Sequence, residues 1–147
     1  AIAERLDFAF ETTLGGNTIP RLLAEAGSQG IGIYVWYAGL ASPNLHVQRV
    51  RSRVRRGGHD VPEETIRRRF ERSRLNLIAL LPLLAALRIY DNSAEADPAA
   101  GMTPSPVQVL HTEHGKILNP NDLPQTPDWA KPIVAAAMKL DLERSKR

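Results

Sequence analysis

The sequence predicts an α/β domain: a parallel sheet flanked by helices. Three observations predict it. Strand-like and helix-like runs alternate along residues 7–92. The most apolar strand-like run, IGIYVWY over residues 31–37, is β-branched and aromatic, as a strand covered on both faces should be. The glycine pairs Gly15-Gly16 and Gly57-Gly58 fall between the runs rather than inside them. Strand–helix–strand order closes through right-handed crossovers into a parallel sheet.

Each element follows in turn. Residues 7–13 read as the first strand, since large side chains alternate before Gly15-Gly16 ends the run. A helix over 18–26 follows, with Asn17 or Thr18 as its cap and Pro20 tolerable in the first turn. Gly27 and Gly30 close it, and residues 31–37 form the second strand. Ser42-Pro43 opens a second helix in cap-then-proline order. Its Val47, Val50 and Val54 share a face, and Gly57-Gly58 ends it. Asp60 followed by Glu63 has the spacing of a capping box for a third helix. There Ile66, Phe70, Ser73 and Leu77 make one stripe, and Arg68, Arg69 and Arg72 lie together on another face. Residues 87–92 read as a third strand, 94–106 as a Pro/Ala-rich loop, 107–118 as a hairpin, and 129–147 as a final helix.

Length and composition set the class. The 147 residues suffice for one domain with a core. Hydrophobic content of 43% and charged content of 24% are ordinary for a globular chain. The absence of cysteine excludes disulfides, thiolate metal sites and a cysteine nucleophile, and suits a cytoplasmic location. The apolar stretch 75–87 is too short to span a membrane and carries a proline. The chain opens at Ala1 without a basic-then-apolar leader, so no signal peptide is expected, and a segment is expected upstream.

The net charge of +3 is unevenly spread. Ten arginines lie between Arg49 and Arg74 against Asp60, Glu63, Glu64 and Glu71, which makes that stretch +6 and the remainder −3. Every cation in it is arginine, whose planar fork grips phosphate or carboxylate bidentately. Such a run is an anion site, a nucleic-acid patch or a solvated face. Single-strand binders interleave cations with stacking aromatics. Here Phe70 alone is aromatic and it lies on the apolar stripe, so an arginine-rich nucleic-acid-binding module is the second reading. His111, Glu113 and His114 suggest zinc ligands, but no third and fourth partner has suitable spacing, and a metal site is not expected.

The succession FAFETTLGG, a strand before a Ser-Pro helix start, RVRRGGHDVPEETIRRRFERSRLNL and LRIYDNS resembles the zeta-toxin-like predicted ATPase family. These are P-loop-kinase-fold proteins related to zeta toxins, which phosphorylate UDP-N-acetylglucosamine. The resemblance runs from the first strand to about Ser93, and the Gly-Gly-His-x-Val-Pro-Glu run is its most specific part. It implies an ATP-dependent phosphotransferase using Mg2+, a sugar-nucleotide or other small-molecule substrate, and an antitoxin protein as partner. It also implies roles for individual residues. Glu11 and Thr13 match the substrate-binding Glu-x-Thr motif, while Gly15 stands where zeta toxins carry a further substrate-contacting arginine. Arg69 and Arg72 fall in the lid, within a helical segment over 43–86, as the catalytic arginines. His59 and Arg68 would contact phosphate, and Asp91 and Asn92 the nucleotide.

One departure is large. The motif G-x-x-x-x-G-K-[ST] is absent from the 147 residues, and the Gly115-Lys116 pair has Leu110 where the first glycine should stand. Without that loop the backbone cradle and the lysine for the terminal phosphates are lacking. In the resembled family the loop and the catalytic aspartate precede the strand that opens this sequence. The chain therefore reads as the C-terminal part of such a kinase, lacking the N-terminal strand and P-loop, and inactive alone.

Overall fold

The structure, a computed structural model, describes residues 3–4, 6–94, 100–103 and 105–146. In chain order it contains α1 (Thr18–Ser28), β1 (Tyr34–Gly39), α2 (Pro43–Arg55), α3 (Glu63–Leu80), β2 (Ala86–Asp91), β3 (Val107–Glu113), β4 (Lys116–Ile117) and α4 (Lys131–Ser145). Short 3-10 turns at Leu81–Leu83, Pro120–Gln125 and Asp128–Ala130 join some of them. The chain is α/β, with a small mixed sheet flanked by helices.

The sheet runs β1-β2-β3-β4. β1 pairs with β2 in parallel, Tyr34 opposite Ala86 through Gly39 opposite Asp91. β2 pairs with β3, and β3 with β4, in antiparallel fashion. This corrects the expected parallel sheet. The departure is at β3: Val107 pairs opposite Asp91, so the chain re-enters the sheet at the end where β2 leaves it and β3 runs back along β2, while the expected hairpin to β4 closes at His114 and Gly115, which adopt φ 48° and 78°. A parallel return would have needed a crossover helix.

The expected strand over 7–13 is also corrected. Residues 6–13 are exposed, non-helical and outside any ladder. Alternation supplies a face, but a strand also needs a partner edge for its backbone, and none of the described strands pairs with this segment. The second strand begins three residues later than its sequence run, because Ile33 O instead accepts from Ala85 N and Ala86 N. The capping box does not form. Pro62 holds the cap position of α3, Asp60 Oδ1 accepts from Val61 N at 2.8 Å, and Glu63 turns to Arg67 and Arg51. At α2 the expectation is met: Ser42 Oγ accepts from Leu45 N at 3.2 Å, with Pro43 in the first turn. Of the loop expected over 94–106, residues 95–99 and 104 lie outside the described residues, as does Arg147 of the final helix, whose α portion starts at Lys131.

The core lies between one sheet face and α1, α3 and α4. Leu77, Leu87, Ile89, Leu110 and Ile133 are its largest fully buried side chains, each stabilising by about 1.5–3 kcal/mol. Trp129 seals the carboxyl end of β1: its indole stacks on Tyr37 with centroids 6.2 Å apart. A Cβ at Gly39 would overlap that ring, so the strand ends on glycine for want of space. The opposite sheet face carries Tyr34 and Trp36 in solvent, with the Arg88 guanidinium 6.0 Å from the Trp36 ring. Among the described residues no helix is long and apolar enough to cross a membrane.

Candidate functional site

Two loops meet the two arginine helices, and each meeting makes a candidate site. The first lies at the carboxyl ends of the parallel strands, where α/β proteins hold ligands. Asn92 N donates to Gly39 O at 2.9 Å, which ties the ends of β1 and β2 together. Asp91 accepts from Ser93 N at 3.0 Å and from the Ser93 hydroxyl. Ser93 Oγ in turn accepts from Ala41 N at 2.7 Å. The Asp91 carboxylate is thus committed to shaping the turn, while Asn92 lines a cleft.

That cleft has a volume of about 570 Å³ and is walled by Arg49, Ser52, Arg53, Arg56, Gly57-Gly58 and Asn92. Arg49 Nη2 donates to Ser93 O at 3.3 Å and Ala94 O at 3.0 Å, which holds α2 against the strand end. Arg53 Nη2 reaches His59 O at 3.4 Å, so His59 is fixed through its main chain while its ring stays exposed. Gly57 takes φ +90°, and at Gly58 a Cβ would come within 2.6 Å of Arg53 Cγ. The glycine pair is what lets the chain fold back onto the arginine face. Arg49, Arg53 and the C-cap residue Arg56 are i, i+4 and i+7 along α2, a spacing visible in the sequence.

The second meeting joins α3 to the segment after Glu11-x-Thr13. Asn76 Nδ2 donates to Leu14 O at 2.7 Å and to Gly16 O at 2.9 Å. Leu14 is buried at φ 53°, and its N–H donates to Thr12 Oγ1 at 3.1 Å. Arg69 packs its Cα, Cβ and Cγ under Gly15, where an added Cβ would stand 2.7 Å from Arg69 Cγ. Arg72 Nη2 donates to Asn17 Oδ1 at 2.6 Å.

Asn17 stands at the N-cap of α1 but makes no capping hydrogen bond with its side chain. Its oxygen goes to Arg72 instead. The first-turn amides of α1 therefore keep their partial positive charge, and the Arg72 guanidinium adds to it. Such a combination favours an anion.

The structure thus brings Arg69 and Arg72 to the loop that carries Glu11 and Thr13. Glu11 and Thr13 themselves are exposed and make no hydrogen bond or ion pair among the described residues. Arg68 is exposed beside Arg69. Asp91 and Asn92 belong to the other cleft. Asn76, which anchors the loop, was not foreseen; the signal was an amide in mid-helix, where asparagine is disfavoured unless its side chain has a partner.

Behind α3 lies a structural polar layer. Tyr37 Oη and Ser73 Oγ are 2.9 Å apart. Burial raises the Tyr37 pKa, partly offset by the Ser73 hydrogen bond and by Arg74. Burial, with Arg49 nearby, lowers that of His46, whose ring meets the Phe70 edge at 5.5 Å. His111 lies 3.5 Å from Glu113 and accepts from Arg88 Nε at 3.4 Å. Among the described residues no group of three or more His, Asp or Glu is placed to hold a metal ion.

No family model matches the chain, and no solved structure matches it. It is 30% identical over 70 residues to an uncharacterized protein of Haemophilus influenzae, a match that covers 48% of this chain and 50% of that one. The matched stretch spans about half the length of that relative.

Proposed function

We propose that the chain forms the substrate-holding and arginine-bearing part of an ATP-dependent phosphotransferase of the zeta-toxin-like kind. The observation that carries this reading is the seating of the loop after Glu11-x-Thr13 on the arginine face of α3, with Arg72 at the uncapped N-terminus of α1. Residues 55 positions apart meet there, and they combine acceptor groups for hydroxyls with donors for anionic oxygens.

The roles follow from charge. Phosphoryl transfer is catalysed chiefly by positioning and by neutralising charge on the equatorial oxygens. The free Glu11 carboxylate and Thr13 hydroxyl orient the hydroxyls of a small-molecule or sugar-nucleotide acceptor. Arg69 and Arg72 stabilise the transferring group, with Arg68 and His59 as further phosphate contacts. The cleft beside Asn92 takes the nucleotide end. The residues here do not fit Mg2+ or the triphosphate: the phosphate-loop motif is absent from the sequence, and among the described residues no acidic cluster stands ready for a metal. This reading assigns both to polypeptide beyond these 147 residues.

The test is phosphoryl transfer from radiolabelled ATP to a panel of sugar nucleotides. The polypeptide translated from its natural upstream start is expected to turn over, and the 147-residue chain is not. Mg2+-dependent turnover by the 147-residue chain alone would overturn the reading, as would an upstream sequence without a phosphate loop.

A further inference from the structure

We propose that the open face of the sheet is a stacking platform for single-stranded nucleic acid, built around Trp36 and Arg88. This platform is separate from the phosphotransferase site and does not depend on that reading. Proteins that hold single strands without base readout combine aromatic faces, on which bases stack, with cations near the backbone phosphates. Between Arg49 and Arg74 the cations have Phe70 alone for an aromatic side chain of that kind. The stacking aromatics stand on the sheet instead.

Strand register puts them together. Trp36 lies opposite Arg88, and Arg88 opposite His111, on three neighbouring strands. Strands about 4.8 Å apart thus line up an indole, a guanidinium and an imidazole, three planar groups. Arg88 Nε donates to His111 Nε2 at 3.4 Å, and the guanidinium carbon is 6.0 Å from the Trp36 ring. Tyr34 and Tyr90 extend the face along β1 and β2, since residues two apart on a strand share a side. Tyr34 and Trp36 are 63% and 64% exposed. The other side of these strands carries Leu87, Ile89 and Leu110 in the core, so the platform has a rigid support.

Charge decides which occupant suits this face. Arg88 makes no ion pair among the described residues, and Glu113 faces His111 at 3.5 Å rather than Arg88. A protein surface laid here would bury that cation at a cost unless it brought a carboxylate. A second copy of the chain would bring another Arg88. A single strand supplies flat bases for Trp36 and Tyr34 and phosphates for Arg88. The potential farther along β2 has the same sign. Asn92 lies four residues beyond Arg88, about 13 Å at 3.3 Å per residue, and there the cleft walled by Arg49 and Arg53 opens. Both guanidiniums bond carbonyl oxygens, which leaves their charge unneutralised and able to attract a phosphate backbone.

The test is fluorescence anisotropy of a labelled single-stranded oligodeoxynucleotide of about 12 nucleotides, within the span one small binding domain covers, titrated with the 147-residue chain. Binding is expected, and Trp36 emission should be quenched as it proceeds. Trp129 is 4% exposed and contributes a constant background. Trp36→Ala and Arg88→Ala should each weaken binding about 5- to 150-fold, the usual cost of one stacked base, and Trp36→Phe should recover part of it. Lys139→Ala removes an exposed cation on α4, which covers the other sheet face, and should change binding little.

No rise in anisotropy at about 100 μM chain, the weak end of non-specific binding, would overturn the inference. So would full binding by Trp36→Ala, since charge alone would then hold the strand. Equal affinity for the same sequence as a duplex, whose bases are not free to stack, would overturn it as well. A chain of doubled mass in which acrylamide fails to quench Trp36 would give the face to a second copy instead. Quenching of Trp36 by a neutral oligosaccharide, with none by the oligonucleotide, would give it to a sugar ring and sink the proposal.

Discussion

α2 and α3 carry the same cation at similar density, and they use it differently. On α2, Arg49 and Arg53 grip carbonyl oxygens of the loops that follow β2 and the glycine pair, so the helix is tied down by the residues that wall its cleft. On α3 the faces are divided. Arg74, with its side chain 16% exposed, caps Trp129 O and lies 4.3 Å over the Phe70 ring, whereas Arg68 and Arg69 reach solvent and Arg72 meets one neutral amide oxygen. A guanidinium that already holds the protein's own carbonyls is structural; one that holds a single exposed amide remains available to a ligand. What lies opposite decides, not the residue type.

The sharpest way to break this contrast is kinetic. Under the proposed phosphotransferase reading, in a polypeptide that supplies the phosphate loop, Arg69→Ala and Arg72→Ala should each cost about 2.7–4 kcal/mol in transition-state stabilisation, the usual loss of one preorganised donor, with little change in melting temperature. Arg72→Lys should recover part, since an ammonium keeps the charge without the fork. Full turnover in both alanine variants would make the arginine face of α3 a solvated one.

Next in size is Arg74→Ala. It removes a charged hydrogen bond to Trp129 O and uncovers Phe70, which should destabilise the chain by about 1.5–3 kcal/mol in urea unfolding. Arg74→Met, which keeps the apolar stem, should lose less. Its exposed pair with Glu71 contributes little. A silent Arg74→Ala would show that both faces of α3 are equivalent after all.

Asn76→Ala should cost about 1 kcal/mol, with a readout the arginines lack. The carbonyls of Leu14 and Gly16 lose their donor, so limited proteolysis should cut sooner around residues 14–17. Unchanged cleavage would mean that Arg69 packing alone holds the loop.

The smallest effect concerns pH. The folded protein holds the His46 pKa below its ordinary value, so the unfolded chain takes up its proton first. Stability should therefore fall as pH drops through about 6.5, the unfolded value, and level off once pH passes below the folded pKa. His46→Gln should flatten that slope, and an unaltered slope would place the titration elsewhere.

Much of this architecture was legible in the residues. Ser42-Pro43 marks the start of α2, and the Ile66–Phe70–Ser73–Leu77 stripe marks the buried face of α3, because caps and helical periodicity are local. The hairpin around His114-Gly115 follows from turn chemistry for the same reason. Residues 7–13 show the limit. Their alternation is that of a strand, but pairing is a property of two segments, and the described sheet gives them no partner. The direction of β3 likewise depended on its neighbours.

The candidate site divides along the same line. By itself the sequence determined that arginines would crowd two helices, that Glu11 and Thr13 would precede a glycine turn, and that a phosphate loop is absent from these 147 residues. Only the tertiary structure decided which guanidiniums serve the fold. It placed Asn17 against Arg72 and the stem of Arg69 under Gly15, and it turned Arg49 toward Ser93. Helix spacing sets which side chains share a face, but the loop that lands opposite that face is chosen by burial of apolar side chains elsewhere. Leu14 and Leu77 bring that loop and α3 into one core, and the charges then pair with whatever burial has placed within reach.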